Sequence, residues 1–365
     1  MTAPRRQNRM TNANRFKLGL FAPNCSGGLA LTKAPERWDP SWANNVKAAQ
    51  MADAAGLEFL LPIARWKGYG GETDTEGTSF ETLNWASAIL AVTKDIVAFG
   101  TVHVPMIHPI FAAKQIVTAD HVGEGRFGLN VVSGGNAPEF RMFGVELLEH
   151  DARYVFSEEW LQIAKRVWES DQPFDFKGKF FDLKGVISKP KPWGGSRPLL
   201  MSAGSSKAGR AFASRHADCL FMAIIKDDNL AAELKSLRAE AGRPDVGVYA
   251  SGHMICRATQ KEAEEYFHYV VYEMGDWAGA EKLLEVRINQ QSLPVEELRK
   301  VRERVVSGTG TFPVIGSADQ CAAAFKRLND AGLDGMALGL VNYIDELPFI
   351  QAELLPRMQR LGLRA

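Results

Sequence analysis

The stretch GEGRFGLNVVSGGNAPEFRMFGVELLEHDARY, residues 123–154, decides how the chain folds. Its apolar run Phe127–Val132 is bounded by glycines and is too short for a helix, so it reads as a buried strand. The run ends in the turn Ser133-Gly134-Gly135-Asn136. Polar groups then follow closely: Glu139, Arg141, His150, Asp151, Arg153 and Tyr154, with Asn130 and Ser133 on the strand itself. A parallel barrel strand that delivers polar side chains from its C-terminal end is where such folds keep their active sites.

Outward from this stretch, apolar runs alternate with amphipathic ones along the whole chain. Strands are expected at 17–23, 59–62, 96–104, 127–133, 198–203, 219–223, 247–256 and 335–341. Helices are expected at 42–55, 80–93, 110–121, 153–169, 206–216, 229–241, 260–271, 318–331 and about 345–361. Eight strands, each followed by a helix, make an α/β fold of the (β/α)8 TIM-barrel type. Two insertions interrupt the repeat. Residues 174–192, FDFKGKFFDLKGVISKPKP, alternate aromatic and charged residues as a hairpin would. Residues 274–311 are polar, with GDWAG near the start, SGTGT at the end and a helical piece at 295–306. An excursion of that length is a lid or an outer ornament. Residues 1–15 carry Arg5, Arg6, Arg9 and Arg15 without an acid, and are expected to be a disordered extension ahead of one domain over 16–365.

Composition narrows the function. The chain has 365 residues, 46% hydrophobic and 24% charged, with 43 basic and 43 acidic side chains. That balance argues against a nucleic-acid binder, and no apolar run is long enough to span a bilayer. Cys219, Cys256 and Cys321 sit in apolar segments and read as buried hydrophobes, whereas Cys25 ends the first strand and could face a site. Free thiols suit a reducing cytoplasm.

The seven histidines form no metal-binding pattern, so no metal is expected. There is no GxSxG elbow for a hydrolase and no GxGxxG for a dinucleotide. PLLMSAGSSKAGR, residues 198–210, offers a phosphate cradle instead. A strand ends there, Gly204 permits close backbone approach, and Ser205 and Ser206 open a helix whose N–H groups suit an anion, although a serine at that place is also an ordinary cap. Asp151 reads as a cap for the next helix. Arg153 and Tyr154 suit a ribityl phosphate.

ARWKGYGG (64–71), GEGRFGLNVVSG (123–134), PEF (138–140), EHDARY (149–154), FKGKFF (176–181) and SAGSSKAGRAFASRHAD (202–218) resemble the luciferase-like, two-component flavin-dependent monooxygenases. GSADQCAAAFKRLNDAGLDGMALGLVNYIDELP is similar to their last βα unit. The resemblance runs from Phe16 to Leu355 in the right order, and its patterns are those of pyrimidine, dimethylsulfone and alkanesulfonate monooxygenases. It implies a barrel that binds reduced FMN, supplied by a separate NAD(P)H-dependent flavin reductase, with O2 as co-substrate. The flavin peroxide formed there would oxygenate and cleave a small organosulfur compound or N-heterocycle. Carried over residue by residue, FMN contacts fall on Ala64, Arg65, Asn130, Glu139, Arg153, Tyr154, Ser205 and Ser206. The catalytic oxygen-side pocket falls on Leu61, Thr101 and Asn130.

The substrate would lie near Trp66, Tyr69, His103, Met106 and Gly135. Where the pyrimidine and dimethylsulfone types carry a Trp this chain has Gly135, which leaves room for a larger substrate. The family also implies a homodimer or homotetramer, paired through the second and third helices. Three alternatives stay open: a deazaflavin-dependent reductase, a non-catalytic flavin-binding protein, and an oxygenase or lyase acting on a larger flavin-like heterocycle.

Overall fold

The computed structural model describes residues 7–204, 206–243, 245–287 and 295–365. The first half of the chain runs β1 (Lys17–Phe21), α1 (Trp42–Ala54), β2 (Phe59–Leu61), α2 (Thr82–Ala91), β3 (Val97–His103), α3 (Pro109–Val122), β4 (Phe127–Val132), α4 (Ala137–Met142) and α5 (His150–Glu169). A hairpin follows, β5 (Phe174–Lys177) and β6 (Asp182–Val186), then β7 (Leu199–Ala203), α6 (Lys207–His216), β8 (Cys219–Ala223), α7 (Leu230–Ala241) and β9 (Gly247–Arg257). The chain ends with α8 (Gln260–His268), α9 (Trp277–Arg287), α10 (Val295–Gly308), β10 (Phe312–Ser317), α11 (Ala318–Asp330), β11 (Gly335–Gly339), α12 (Tyr343–Phe349) and α13 (Leu355–Arg360).

Strands β1, β2, β3, β4, β7, β8, β9 and β11 pair in that order, and β11 returns to β1, closing a ring of eight parallel strands. All eight expected strands are present. Alternation along each strand sends one set of side chains inward and the other under the helices. The inward set forms an apolar plug of Phe59, Leu61, Val97, Phe99, Leu199, Met201 and Tyr249, with Phe59 edge-on to both Phe99 and Tyr249. These rings leave no room for a side chain at Gly19 or Gly128, where a Cβ would lie 2.5 Å from Phe59 and 2.4 Å from Phe99. Above the plug the inward positions turn polar. Thr101 of β3 stands beside Asn130 of β4 in register, near the C-terminal mouth.

The ninth strand, β10, lies outside the ring and pairs with the C-terminal half of β9, from Phe312 beside Gly252 to Ser317 beside Arg257. The hairpin β5–β6 is antiparallel, as the aromatic and charged alternation implies. The described parts of the 274–311 excursion, residues 274–287 and 295–311, pack against the barrel. Leu283, Leu284, Val305 and Val306 join Leu31, Ile255 and Val271 in a second apolar cluster. Asp276, fully buried in the GDWAG segment, accepts the Thr73 N–H and hydroxyl, each at 2.7 Å, and the Gly279 N–H at 2.8 Å. It fastens the start of α9 to the loop after β2.

Two expectations need correction. Residues 7–15 are ordered: Asn8 caps a single 3-10 turn, Met10 is buried in the barrel plug, and Arg9 bonds the carbonyls of Asp53 and Leu57. One long-range apolar anchor outweighs a locally polar sequence. Residues 1–6 lie outside the described residues. Asp151 does not cap α5; Glu149 holds that position, and Asp151 lies in the first turn, bonded to the His150 ring at 2.7 Å.

Candidate active site

Two cavities lie at the C-terminal end of the barrel. The wider cleft, about 760 Å³, is bounded by Ile63, Val132, Gly134, Tyr154 and Gly204 on the barrel side and by α10 through Arg304 and Val305. The narrower cavity, about 450 Å³, lies between the segment Ala64–Trp66 and the N-terminal ends of α2 and α3. Thr101 lines the narrower cavity. Its hydroxyl donates to the Pro62 carbonyl at 2.6 Å and accepts from Asn130 Nδ2 at 3.2 Å. Asn130 Oδ1 is buried with no hydrogen-bond partner among the described residues. A buried carboxamide oxygen left unpaired costs free energy, so an atom of this kind marks a place where a ligand donor is wanted.

Arg65 is held between two fully buried carboxylates. Its Nε donates to Glu76 at 2.8 Å, and its Nη1 approaches Glu139 at 3.5 Å. Burial alone would lower the guanidinium pKa, but Glu76, Tyr69 and Glu139 outweigh it and raise it above the ordinary value. Glu139 Oε1 also accepts the backbone N–H of Trp66 at 2.8 Å and of Lys67 at 3.2 Å, tying α4 to the loop after β2. Glu76 holds φ at +62°, a left-handed conformation unusual for a side-chain-bearing residue. Its N–H bond to Ser26 and its contact with Arg65 keep it there. Strain of this kind collects where a site is pre-organised.

At the far end of the wider cleft, β7 turns into α6 through two glycines that touch. A Cβ on Gly204 would lie 2.4 Å from the Gly209 carbonyl carbon. One on Gly209 would lie 2.6 Å from the Tyr154 hydroxyl. Ser206 is the N-cap, accepting the Gly209 N–H at 3.1 Å. Arg153 Nη1 donates to the Gly134 carbonyl at 2.7 Å and so fixes the glycine turn after β4, while its Nε stays buried and unpartnered. Backbone N–H groups, a phenol and a guanidinium around a helix N-terminus suit one phosphate.

The expected residues therefore divide. Tyr154 and Gly204 line the wider cleft, with Arg153 bonded to Gly134 of its wall and Ser206 capping the helix that follows Gly204; Asn130 lines neither cavity. Ala64, Arg65, Trp66, Thr101, His103 and Met106 line the narrower cavity, with Glu139 buried behind them. Leu61 belongs to the packed plug and lines neither cavity; Tyr69 stacks under Arg65 at 4.8 Å. Gly135 is exposed at the rim, where a Cβ would meet only Arg153 Nη1, at 3.8 Å. Ser205 lies outside the described residues. Cys25 is fully buried, its thiol aimed at the Ile63 carbonyl and pushed up in pKa by burial. Sequence reasoning missed Gly209 and Glu76. The spacing of two glycines five residues apart across a strand–helix turn was the available signal for the first; nothing local marks the second.

An FMN fits this constellation. The wider cleft has the volume, the α6 turn takes a phosphate, and Asn130 Oδ1 and Arg153 Nε are polar atoms without partners.

A family model described as luciferase-like monooxygenase matches residues 16–335. An FMNH2-dependent dimethylsulfone monooxygenase of Pseudomonas fluorescens is 30% identical over 362 residues, covering 96% of each chain. The pyrimidine monooxygenase RutA of Acinetobacter baylyi is 31% identical over 261 residues, 68% of each chain. Among solved structures, a riboflavin lyase matches with a TM-score of 0.85 at 22% identity, covering 96% of this chain and 93% of that one. DmoA from Hyphomicrobium sulfonivorans matches at 0.84 and 19% identity, covering 96% and 89%. At those identities the two structures speak to the fold alone.

Proposed function

The chain belongs to the luciferase-like monooxygenase family, and from that premise we propose a two-component monooxygenase that uses reduced FMN and O2 to oxygenate a small organic molecule. The observation that carries this reading is the Thr101–Asn130 pair. Thr101 lines the narrower cavity above the apolar plug and holds Asn130, whose Oδ1 is buried and unpaired among the described residues.

Asn130, Arg153, Tyr154, Gly204 and Ser206 would hold the cofactor, with Arg65 and Glu139 shaping its edge. The chemistry that reduced FMN supplies when bound is activation of O2 and delivery of one oxygen atom to the substrate. The chain's own residues orient and exclude water. Thr101, anchored by Pro62, fixes the Asn130 amide, so its polar atoms are aligned before any ligand arrives. Arg153 holds the turn at Gly134, and α10 closes the cleft from above.

We further propose that a separate flavin reductase supplies FMNH2 in the cytoplasm, and that the protein is a homodimer or homotetramer. Exposed Val92 and Val122, at the C-terminal ends of α2 and α3, favour pairing through those helices. A second reading, an oxygenase or lyase for a larger flavin-like heterocycle, is favoured by the open rim at Gly135.

The test is product formation from sulfones, sulfonates and N-heterocycles by the chain, a flavin reductase, NADH, FMN and 18O2. One labelled oxygen per product molecule supports the reading. Turnover without label, or none with any member of the panel, overturns it.

A further inference from the structure

The narrower cavity has a charge character that neither the fold nor the relatives assign. Most of its wall is apolar, including Trp66, Phe80, Met106, Phe111 and Phe143, with Trp66 edge-on to Phe143 at 4.9 Å. The buried cation in that wall is Arg65, and it faces two buried carboxylates, Glu76 and Glu139. A third acid, Glu81, stands at the rim, its carboxylate accepting the Leu83 and Asn84 N–H groups that open α2.

His103 faces the cavity from β3, with Nδ1 buried and unpartnered. Burial holds its pKa down to about 4, outweighing Glu139, so the ring is neutral at physiological pH. His108, also in the wall, accepts the Ile110 N–H through Nδ1. Gln115 Oε1, from α3, is a second buried polar atom without a partner. The cavity thus offers apolar surface and two buried polar atoms without partners among the described residues, and its buried cation, Arg65, is already paired with carboxylates. An organic anion entering it would lose part of its hydration against apolar surface, with Glu81 in the wall and Arg65 already engaged by Glu76 and Glu139 behind it, which is unfavourable.

Resting on the monooxygenase reading above, we propose that this cavity is the substrate pocket and that it selects an uncharged, mostly apolar molecule with one or two polar groups, rejecting sulfonates and carboxylates of the same size. His103 and Gln115 read the polar groups, and the aromatic wall holds the remainder.

The test uses the full-length protein loaded with FMNH2 under anaerobic conditions, the loading being measured first. Calorimetric titration then compares size-matched pairs: benzamide with benzoate, and methyl phenyl sulfone with benzenesulfonate. The expected result is that each neutral member binds at least about tenfold more tightly than its anionic partner. Gln115→Leu is expected to lower benzamide affinity about tenfold while leaving FMNH2 affinity unchanged. Gln115→Lys, which introduces a cation, is expected to shift the preference toward the anions. Equal or tighter binding of the anions to the wild type overturns the inference and leaves the flavin reading intact. So does binding of neither member of either pair by protein that holds FMNH2. Failure to load FMNH2 overturns the monooxygenase reading itself, and the inference with it.

Discussion

Replacing Glu139 with Ala should loosen the loop after β2 by an amount that follows from its contacts. The lost carboxylate oxygen accepts two backbone N–H groups, Trp66 at 2.8 Å and Lys67 at 3.2 Å, and sits 3.5 Å from Arg65. Hydrogen bonds to a charged acceptor contribute roughly 1.5 kcal/mol each at the lower end, so the two N–H bonds account for roughly 3 kcal/mol. Breaking a buried ion pair costs about 3–5 kcal/mol, but Arg65 keeps Glu76 at 2.8 Å, so the pair adds little beyond that sum. At about 2.1 cal/mol/K per residue of unfolding entropy, a loss of roughly 3 kcal/mol lowers the Tm of a chain this size by about 4 °C. Glu139→Gln keeps an acceptor and should lose about a third as much. Hydrogen exchange on the two variants locates the effect. The Trp66 and Lys67 amides should lose protection in Glu139→Ala and retain most of it in Glu139→Gln. Unchanged protection in Glu139→Ala, or a Tm equal to the wild type, would refute this account of Glu139.

Three further outcomes are expected. Gly209→Ala places a Cβ 2.6 Å from the Tyr154 hydroxyl and 2.9 Å from Gly204, and should cost roughly 1–3 kcal/mol of stability together with FMNH2 affinity, read by thermal melting and anaerobic titration. Gly135→Trp meets open space, so its Tm should stay within about 1 °C of wild type; if the rim admits larger substrates, competition binding should show affinity falling with ligand size only in the variant. His253, buried against Ser307 and Thr311, is held by burial and by Arg304 at a pKa of about 3, well below the ordinary 6.5. The unfolded chain therefore takes up a proton between those pH values and the folded chain does not, so stability falls as pH drops below 6.5. Urea unfolding at pH 7.5, 6 and 5 should show His253→Asn losing about 1.4 kcal/mol less per pH unit than the wild type below that point.

Most of the barrel was legible because its strands are buried on both faces. Runs such as Phe127–Val132 and Leu199–Ala203 are apolar except for one polar residue each, Asn130 and Ser202, as suits parallel strands covered by helices. The strand Phe312–Ser317 was not legible. It lies outside the ring, is short and carries Pro313, which suits an edge strand and weakens its signal against the polar segment before it. The order in residues 7–15 depends on Met10 reaching the barrel plug from far away in sequence, which no local pattern records.

At the site, the residue types were readable but their partners were not. Glu139 and Arg65 are 74 positions apart, and only the folded chain shows that each restrains the other. The same is true of Asp276 and Thr73, 203 positions apart. Gly135 was legible as a missing side chain, and the structure adds that the space beside it is open.

The most direct test of the central claim is an anaerobic titration of the purified protein with FMNH2, set against oxidised FMN and a reduced deazaflavin. The account predicts saturable binding of one FMNH2 per chain, at least about tenfold tighter than either competitor and weakened by Arg153→Ala. Absence of saturation, or equal or tighter binding of the deazaflavin or of oxidised FMN, would contradict it.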